Sequence, residues 1–273
     1  MDRTVSHSIR TSNPWNDYLL MSKPNYEETH EVNQAKPNEF SKNGTSNYIL
    51  GSLPETEAET LRSSLEPIYL NWHEDLHEPG EEIEFGYFPG GGVVSLVVAT
   101  ADGRTAEVGV VGREGFVGLP LIGGFSKGPH RALVQAPTNA YRIRADAFQR
   151  LLPELPELRI RLTRYALLQG MQVAQTAGCN RLHDLEQRLG RWLLMCQDRV
   201  GVDSLPLTHE LLSTMLGTDR PSVSIAAGSL QRKGVIEYSR GNLRILDRQR
   251  LQELSCECYG VIRQFNGLGP PQH

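Results

Sequence analysis

Residues 207–234 carry the strongest local signal in the chain. Thr208 is placed to cap a first short helix, and Gly217 permits a tight turn after it. A second helix is predicted to open near Pro221, because proline is tolerated in a first turn, and Gly234 is placed to stop it. Two short helices joined at a glycine are typical of a helix-turn-helix.

The second predicted helix and the segment after it carry basic residues. Arg220 stands at the start of this helix, and a guanidinium can bond both O6 and N7 of a guanine in the major groove. β-rich runs on both sides of Ser239–Asn242 predict a small hairpin, or wing, with Arg240 at its tip near a phosphate. A bare pair of helices also fits any helical domain, but the order of capped helix, glycine turn, basic helix and basic wing favours DNA binding. The predicted DNA-binding residues are Thr208, Arg220, Pro221, Ser222, Ser224, Arg232, Lys233, Arg240 and Arg244.

The charge of the chain is unevenly distributed. The formal net charge is -4, which argues against a protein that coats nucleic acid through bulk charge. Residues 1–180 have a net charge of -6 and residues 181–273 a net charge of +2. Residues 217–250 contain seven basic and three acidic residues, so the acidic chain has a basic segment where the DNA-binding motif lies.

Residues 1–47 differ in composition from the rest of the chain. They are rich in Asn, Ser, Thr, Pro and Glu, and their apolar residues are scattered. Such a segment cannot bury enough apolar area to offset the entropy of ordering, so a disordered tail is predicted. A short partner-binding motif around Trp15–Met21 is the alternative.

Residues 48–156 combine a helix-like stretch, Glu55–Leu65, with a series of short β-rich runs separated by turn residues. Asp102-Gly103 lies between two of these runs and predicts a hairpin in which both central residues take positive φ. Regularly spaced short strands imply a barrel, sandwich or roll. The predicted strands are Ile68–Leu70, Glu82–Tyr87, Val93–Ala99, Thr105–Val111, Ala132–Gln135 and Ala140–Arg144.

Beyond the last predicted strand, apolar residues recur every three or four positions, which is the period of an α-helix. Pro156 places the start of a long helix near Glu157, and the pattern continues to about Gly178. A helix of ~20 residues spans ~30 Å, which is long for one small domain, and its apolar stripe indicates a partner. A second helix is predicted over roughly 181–199. The residues of the stripe that are expected to meet a partner are Leu158, Leu162, Tyr165, Leu168 and Met171.

Five stretches of the chain form a further pattern: Glu66–Leu70, Leu76–Glu81, Tyr87–Ser95, Gly112–Gly118 and Leu207–Gly234. In their sequence and order the chain resembles the bacterial cyclic-AMP receptor protein and fumarate–nitrate reduction regulator (CRP/FNR) superfamily. The resemblance implies an α+β fold with a β-roll over 48–156, a long dimerisation helix over 157–180 and a winged helix-turn-helix domain over 181–273. It also implies a cytoplasmic homodimer that binds double-stranded DNA at palindromic operators, with RNA polymerase as a further candidate partner.

The chain departs from the superfamily at the candidate ligand pocket. In members that bind cyclic AMP, a ribose-binding Glu follows a Gly-Phe-x-Gly element, and an Arg-Ser or Arg-Thr pair holds the phosphate. Here Leu119 stands at the Glu position, and His130-Arg131 stands at the Arg-Ser position. Cyclic AMP is therefore not the expected ligand, although the same fold as an active cyclic-nucleotide receptor is the nearest alternative. The candidate pocket residues are Gly118, Leu119, His130 and Arg131.

The recognition helix also departs from the pattern. The superfamily often has Arg-Glu-Thr-Val followed by another Arg, whereas this chain has Pro221 in place of the Glu and Ile225 in place of the later Arg. Arg220 keeps the position of the expected guanine contact. The resemblance therefore implies an operator different from the familiar one.

The four cysteines indicate no disulfide framework and fit a reducing compartment. An N-terminal iron–sulfur centre is not expected, because no cysteine precedes Cys179. Cys256 and Cys258 would point in different directions on a helix, so they are interpreted as ordinary buried thiols, with metal or redox sensing as the alternative. Cys179 could approach its counterpart across a dimer axis.

No catalytic set, resident cofactor, metal site or membrane-spanning segment is predicted, and the chain is not expected to be an enzyme. The alternative to a DNA-binding function is a β-roll enzyme or small-molecule binder whose C-terminal domain only contacts other proteins.

Overall fold

The computed structural model describes residues 45–265 of the chain. Most of the predicted tail, including the Trp15–Met21 motif, lies outside these residues. Over 45–265, no helix combines the length and the apolar character needed to cross a lipid bilayer.

Two antiparallel sheets form the N-terminal roll, as predicted. The strands are β1 (Glu66–Leu70), β2 (Asp75–His77), β3 (Phe85–Pro89), β4 (Val93–Ala99), β5 (Thr105–Val111), β6 (Arg131–Ala136) and β7 (Thr138–Arg144). One sheet has the strand order β1-β7-β3 and the other β2-β6-β4-β5. The helices that accompany the roll are α1 (Tyr48–Gly51), α2 (Glu55–Arg62) and α3 (Ala145–Leu151).

The turn between β4 and β5 differs from the predicted one. Thr100 N–H donates to Arg104 O at 2.9 Å, so residues 101–103 form a three-residue loop. Gly103 takes a φ of 82°, the left-handed conformation that such a loop requires at its last position. The predicted hairpin is confirmed, but its loop is longer than the two-residue turn expected from Asp102-Gly103.

The long helix α4 (Pro156–Leu182) begins at Pro156 and runs for 27 residues. The next helix, α5 (Leu185–Val200), starts after Asp184, whose side chain accepts a hydrogen bond from Gln187 N–H at 2.9 Å. This cap separates the two helices a few residues beyond the predicted boundary, because the local hydrogen bond, rather than the hydrophobic period, sets the break.

The C-terminal part contains the predicted pair of short helices and the wing. The elements are β8 (Ser204–Pro206), α6 (His209–Leu216), α7 (Arg220–Arg232), β9 (Ile236–Ser239), β10 (Asn242–Ile245), α8 (Arg248–Leu254) and α9 (Cys258–Phe265). Strand β10 lies between β8 and β9 in a small antiparallel sheet.

Strand β4 is largely apolar, and its two faces pack into two different cores. Val94 packs into the core of the roll, whereas Val93 and Val97 pack into a second core with residues of the C-terminal helices. Trp192 and Leu193 of α5 belong to this second core. The helix-turn-helix part of the chain is therefore docked on the roll through continuous apolar packing.

Candidate DNA-binding site

The turn between α6 and α7 is built by two side-chain caps and one glycine. Thr208 Oγ1 accepts from Leu211 N–H at 3.1 Å and Asp219 Oδ1 accepts from Ser222 N–H at 2.8 Å, so both helix N-termini are capped. Gly217 takes a φ of 60° between the two helices. A side chain here would be strained, which explains the glycine. Thr208, a predicted DNA contact, thus has a structural role as a cap.

Helix α7 has one buried and one open face. Arg220 and Pro221 are exposed at its first turn, and Ile225 is 71% exposed one turn later. An apolar side chain this exposed on a recognition helix can contact a thymine methyl group. Sequence comparison noted Ile225 only as a departure from the superfamily, and its exposure adds it to the candidate site. The buried face that holds α7 in place consists of Val223, Ala226, Ala227 and Leu230.

The hydroxyls of the two predicted serines already bond within the protein. Ser222 Oγ donates to Asp219 Oδ2 at 2.8 Å. Ser224 Oγ donates to Arg220 O at 3.0 Å and lies 2.9 Å from His209 Nδ1. Arg220 and Ile225 are therefore the side chains of α7 best placed to contact bases.

The wing is fixed to α6 by an aromatic contact. The rings of His209 and Tyr238 stack with centroids 4.3 Å apart, and Tyr238 Oη donates to Leu207 O at 2.8 Å. Burial lowers the pKa of His209, so this ring is neutral at neutral pH. These contacts set the distance between the wing and the recognition helix.

Arg240 lies at the tip of the wing in a two-residue turn. Arg240 and Gly241 have φ values of 49° and 80°, the signature of a type I′ turn. The turn presents the exposed Arg240 side chain beyond the sheet. Two of the other predicted basic contacts are ion-paired, because Lys233 bonds Glu186 and Arg244 lies 3.8 Å from Glu237.

We expect Arg240→Ala to weaken binding to all DNA sequences alike. Losing one phosphate contact should reduce the slope of log K against log salt by about 1, because one fewer counterion is released. Titrations of labelled DNA at several salt concentrations measure this slope. Arg62→Ala, which removes an exposed arginine of the roll, is the control. An unchanged slope in Arg240→Ala would exclude the phosphate contact.

The candidate ligand-pocket residues contact other residues of the roll. Arg131 is 6% exposed, and its guanidinium bonds Asp75 at 2.6 Å and Glu78 at 3.1 Å. Burial lowers the pKa of His130, so this ring adds no positive charge at neutral pH. Gly118 and Leu119 lie at the start of a short 3-10 helix that packs against the roll core.

Two buried carboxyls join the roll to α5. Glu107 on β5 accepts hydrogen bonds from Trp192 Nε1 at 2.8 Å and Ser95 Oγ at 2.5 Å, and burial raises its pKa to about 7. Glu114 lies 2.7 Å from Arg199, with side chains 5% and 1% exposed. The orientation of α5 on the roll therefore depends on specific polar contacts as well as on the shared apolar core.

Part of the apolar stripe on the long helix packs against the roll of the same chain. Leu158, Leu162 and Tyr165 are buried in the roll core, so these three predicted interface residues are already covered. Leu168 and Met171 line a groove against α9, and Met171 is 50% exposed. The larger apolar side chains left exposed on α4 are Ile160, Leu167, Met171 and Leu182.

The structure brings three cysteines together in one buried group. Cys179 Sγ lies 3.4 Å from Cys256 Sγ, and Cys258 lies beside them. Cys256 precedes α9 and Cys258 begins it, so the two are not held on one helix as the sequence suggested. The approach of Cys179 to Cys256 of the same chain was not predicted.

Comparison with known proteins identifies the C-terminal domain and the fold. Residues 187–254 match the family model of the Crp-like helix-turn-helix domain. No curated protein sequence matches the chain significantly.

Several solved structures are similar to most of the chain, at identities that show the fold alone. FixK2 from Bradyrhizobium japonicum is 16% identical with a TM-score of 0.60, over 70% of this chain and 98% of that one. A CRP-family transcriptional regulator from Thermus thermophilus is 20% identical with a TM-score of 0.59, over 69% and 96%. The c-di-GMP-responsive regulator CLP from Xanthomonas campestris is 17% identical with a TM-score of 0.59, over 70% and 99%.

These matches confirm the resemblance seen in the sequence. The roll, the long helix and the winged helix-turn-helix occur in the order of that fold. The chain therefore has a Crp-like helix-turn-helix domain over residues 187–254 and the overall fold of CRP/FNR-family regulators.

Proposed function

We propose that this regulator binds DNA sequence-specifically as a homodimer at a palindromic operator. The observation that carries the proposal is the open face of α7, where Arg220 and Ile225 are exposed beside a wing that presents Arg240. Arg220 would read a guanine, Ile225 would contact a thymine methyl, and Arg240 would contact a phosphate. RNA polymerase remains a candidate partner.

The exposed residues of α4 support the homodimer. Leu167 is 63% exposed and Met171 is 50% exposed, and large exposed apolar side chains on one helix favour a covering surface. Gly170 and Gly178 have open space where a Cβ would be, which would let a second helix approach closely. A two-fold dimer would place two α7 helices ~34 Å apart, about one turn of DNA.

We further propose that the roll does not bind cyclic AMP. Arg131 is neutralised by Asp75 and Glu78, and Leu119 offers no carboxylate to a ribose. Calorimetry of the purified chain with cyclic AMP and cyclic GMP, and with the c-di-GMP to which CLP responds, tests this. Heat of binding by cyclic AMP at micromolar concentration would contradict the proposal, and no heat is the expected result.

We expect Arg220→Ala to lose about 1–3 kcal/mol of affinity for the operator and to relax its preference at one base pair. The loss follows from removing a bidentate contact to guanine. Competition binding against operators changed at single positions measures both effects. Arg62→Ala is the matched control. Unchanged affinity together with unchanged base preference in Arg220→Ala would exclude the assigned role.

A further inference from the structure

Three cysteines and one histidine converge where the end of α4 meets the segment between α8 and α9. Cys179 and His183 lie four residues apart at the end of α4, Cys256 lies two residues before α9, and Cys258 is the first residue of α9. One ligand atom from each of the four residues lies within 4.8 Å of every other. This grouping arises because the C-terminal helices fold back onto α4.

The distances within this Cys179–His183–Cys256–Cys258 group fit one tetrahedral ion. Cys179 Sγ and Cys256 Sγ are 3.4 Å apart, and Cys258 Sγ lies 3.6 Å from His183 Nδ1. With zinc–sulfur bonds of about 2.3 Å, neighbouring ligands of a tetrahedral site lie about 3.8 Å apart. The Cys179–Cys256 separation is also longer than the about 2.05 Å of a disulfide bond.

The chemistry of the donors favours zinc over harder ions and over an iron–sulfur cluster. Three thiolates with one imidazole form a closed set of the kind that holds structural zinc. An iron–sulfur cluster distributes its cysteine ligands over several iron atoms, so its ligands spread more widely than the 4.8 Å found here.

The surroundings of the group orient its ligands. His183 Nε2 lies 3.2 Å from Glu257 Oε1, which leaves Nδ1 facing the sulfurs, as in carboxylate–histidine–zinc arrangements. Gln175 Nε2 donates to Cys258 Sγ at 3.0 Å, a contact that stabilises a thiolate. The three cysteines are each at most 2% exposed.

We propose that Cys179, His183, Cys256 and Cys258 bind a single structural zinc ion. The ion would link α4 to the C-terminal helices α8 and α9, and so hold the end of the DNA-binding domain on the long helix. This proposal does not depend on which DNA sequence the protein binds or on its oligomeric state.

Metal analysis of the full-length chain, purified without chelator, tests the proposal. We expect one zinc ion per chain, and replacement by Co²⁺ should give the visible bands of tetrahedral cobalt with thiolate charge transfer. Cys256→Ser should lose the retained zinc. Cys196→Ser is the matched control, because Cys196 is a buried cysteine of α5 outside the group, and it should keep the full zinc content.

A second variant keeps the test decisive if Cys256→Ser does not fold. His183→Cys supplies a fourth thiolate, so it should retain the metal while its Co²⁺ charge-transfer bands become more intense. An unchanged cobalt spectrum in His183→Cys would exclude His183 as a ligand. Wild-type protein that retains no zinc, that contains acid-labile sulfide, or that has a Cys179–Cys256 disulfide would overturn the proposal.

Discussion

Glu114→Ala is expected to lower the free energy of unfolding by about 3–5 kcal/mol. Glu114 and Arg199 lie 2.7 Å apart at the junction of the roll and α5, and both side chains are almost fully buried. Removing the carboxylate leaves the Arg199 guanidinium buried with hydrogen bonds to Met195 O and Gln172 Oε1 but without the ion-pair partner that contacts it. An unpaired buried charge has a cost of this size.

Urea unfolding followed by circular dichroism measures the loss. Arg104→Ala breaks an ion pair of which the arginine side chain is 83% exposed, so this control should change stability by less than about 1 kcal/mol. The double variant Glu114→Leu, Arg199→Met removes both charges and should recover most of the stability. A loss in Glu114→Ala no larger than that of the control would contradict the assigned role of the buried pair.

Stability is expected to fall as pH rises through neutrality because of Glu107. Burial between β5 and α5 raises the pKa of this carboxyl from 4.5 to about 7. The folded chain therefore binds the proton more tightly than the unfolded chain, so the contribution is complete below about pH 4.5 and is lost as pH rises through about 7. A shift of this size corresponds to about 3 kcal/mol.

Glu107→Gln isolates this effect. The amide can still accept from Trp192 Nε1 and can donate to Ser95 Oγ, so it imitates the protonated carboxyl. We expect the variant to match wild type near pH 5 and to be more stable by up to about 3 kcal/mol at pH 8. Unfolding curves at several pH values measure the difference, with the exposed Glu59→Gln as the control. An equal pH dependence in wild type and Glu107→Gln would contradict the account.

Local patterns in the sequence were sufficient to predict most elements. Val93–Ala99 and Thr105–Val111 match the predicted strands residue for residue, because uninterrupted apolar or alternating runs end at turn residues. The recognition helix was located from its cap and its glycine turn. By contrast, β2 was missed because Asp75–His77 is a three-residue strand that exists through its pairing with β6.

Contacts between distant segments could not be predicted from the sequence. Helical periodicity shows that Leu158 and Leu162 share an apolar face, but it does not show that the roll of the same chain covers that face. In the same way, the Cys179–Cys256 contact depends on the path of the C-terminal helices. Glu107 lay within a β-rich run, and only its contact with Trp192 shows its part in joining the two regions of the chain.

Selection of DNA duplexes from a random pool by the purified full-length chain tests whether the protein binds palindromic operators as a homodimer. We expect enrichment of an inverted repeat whose half-site centres lie about one helical turn, ~34 Å, apart. We also expect Arg220→Ala to lose preference at one symmetric pair of positions in that repeat. Recovery of duplexes with no common sequence, or of a single unrepeated site, would contradict this proposal.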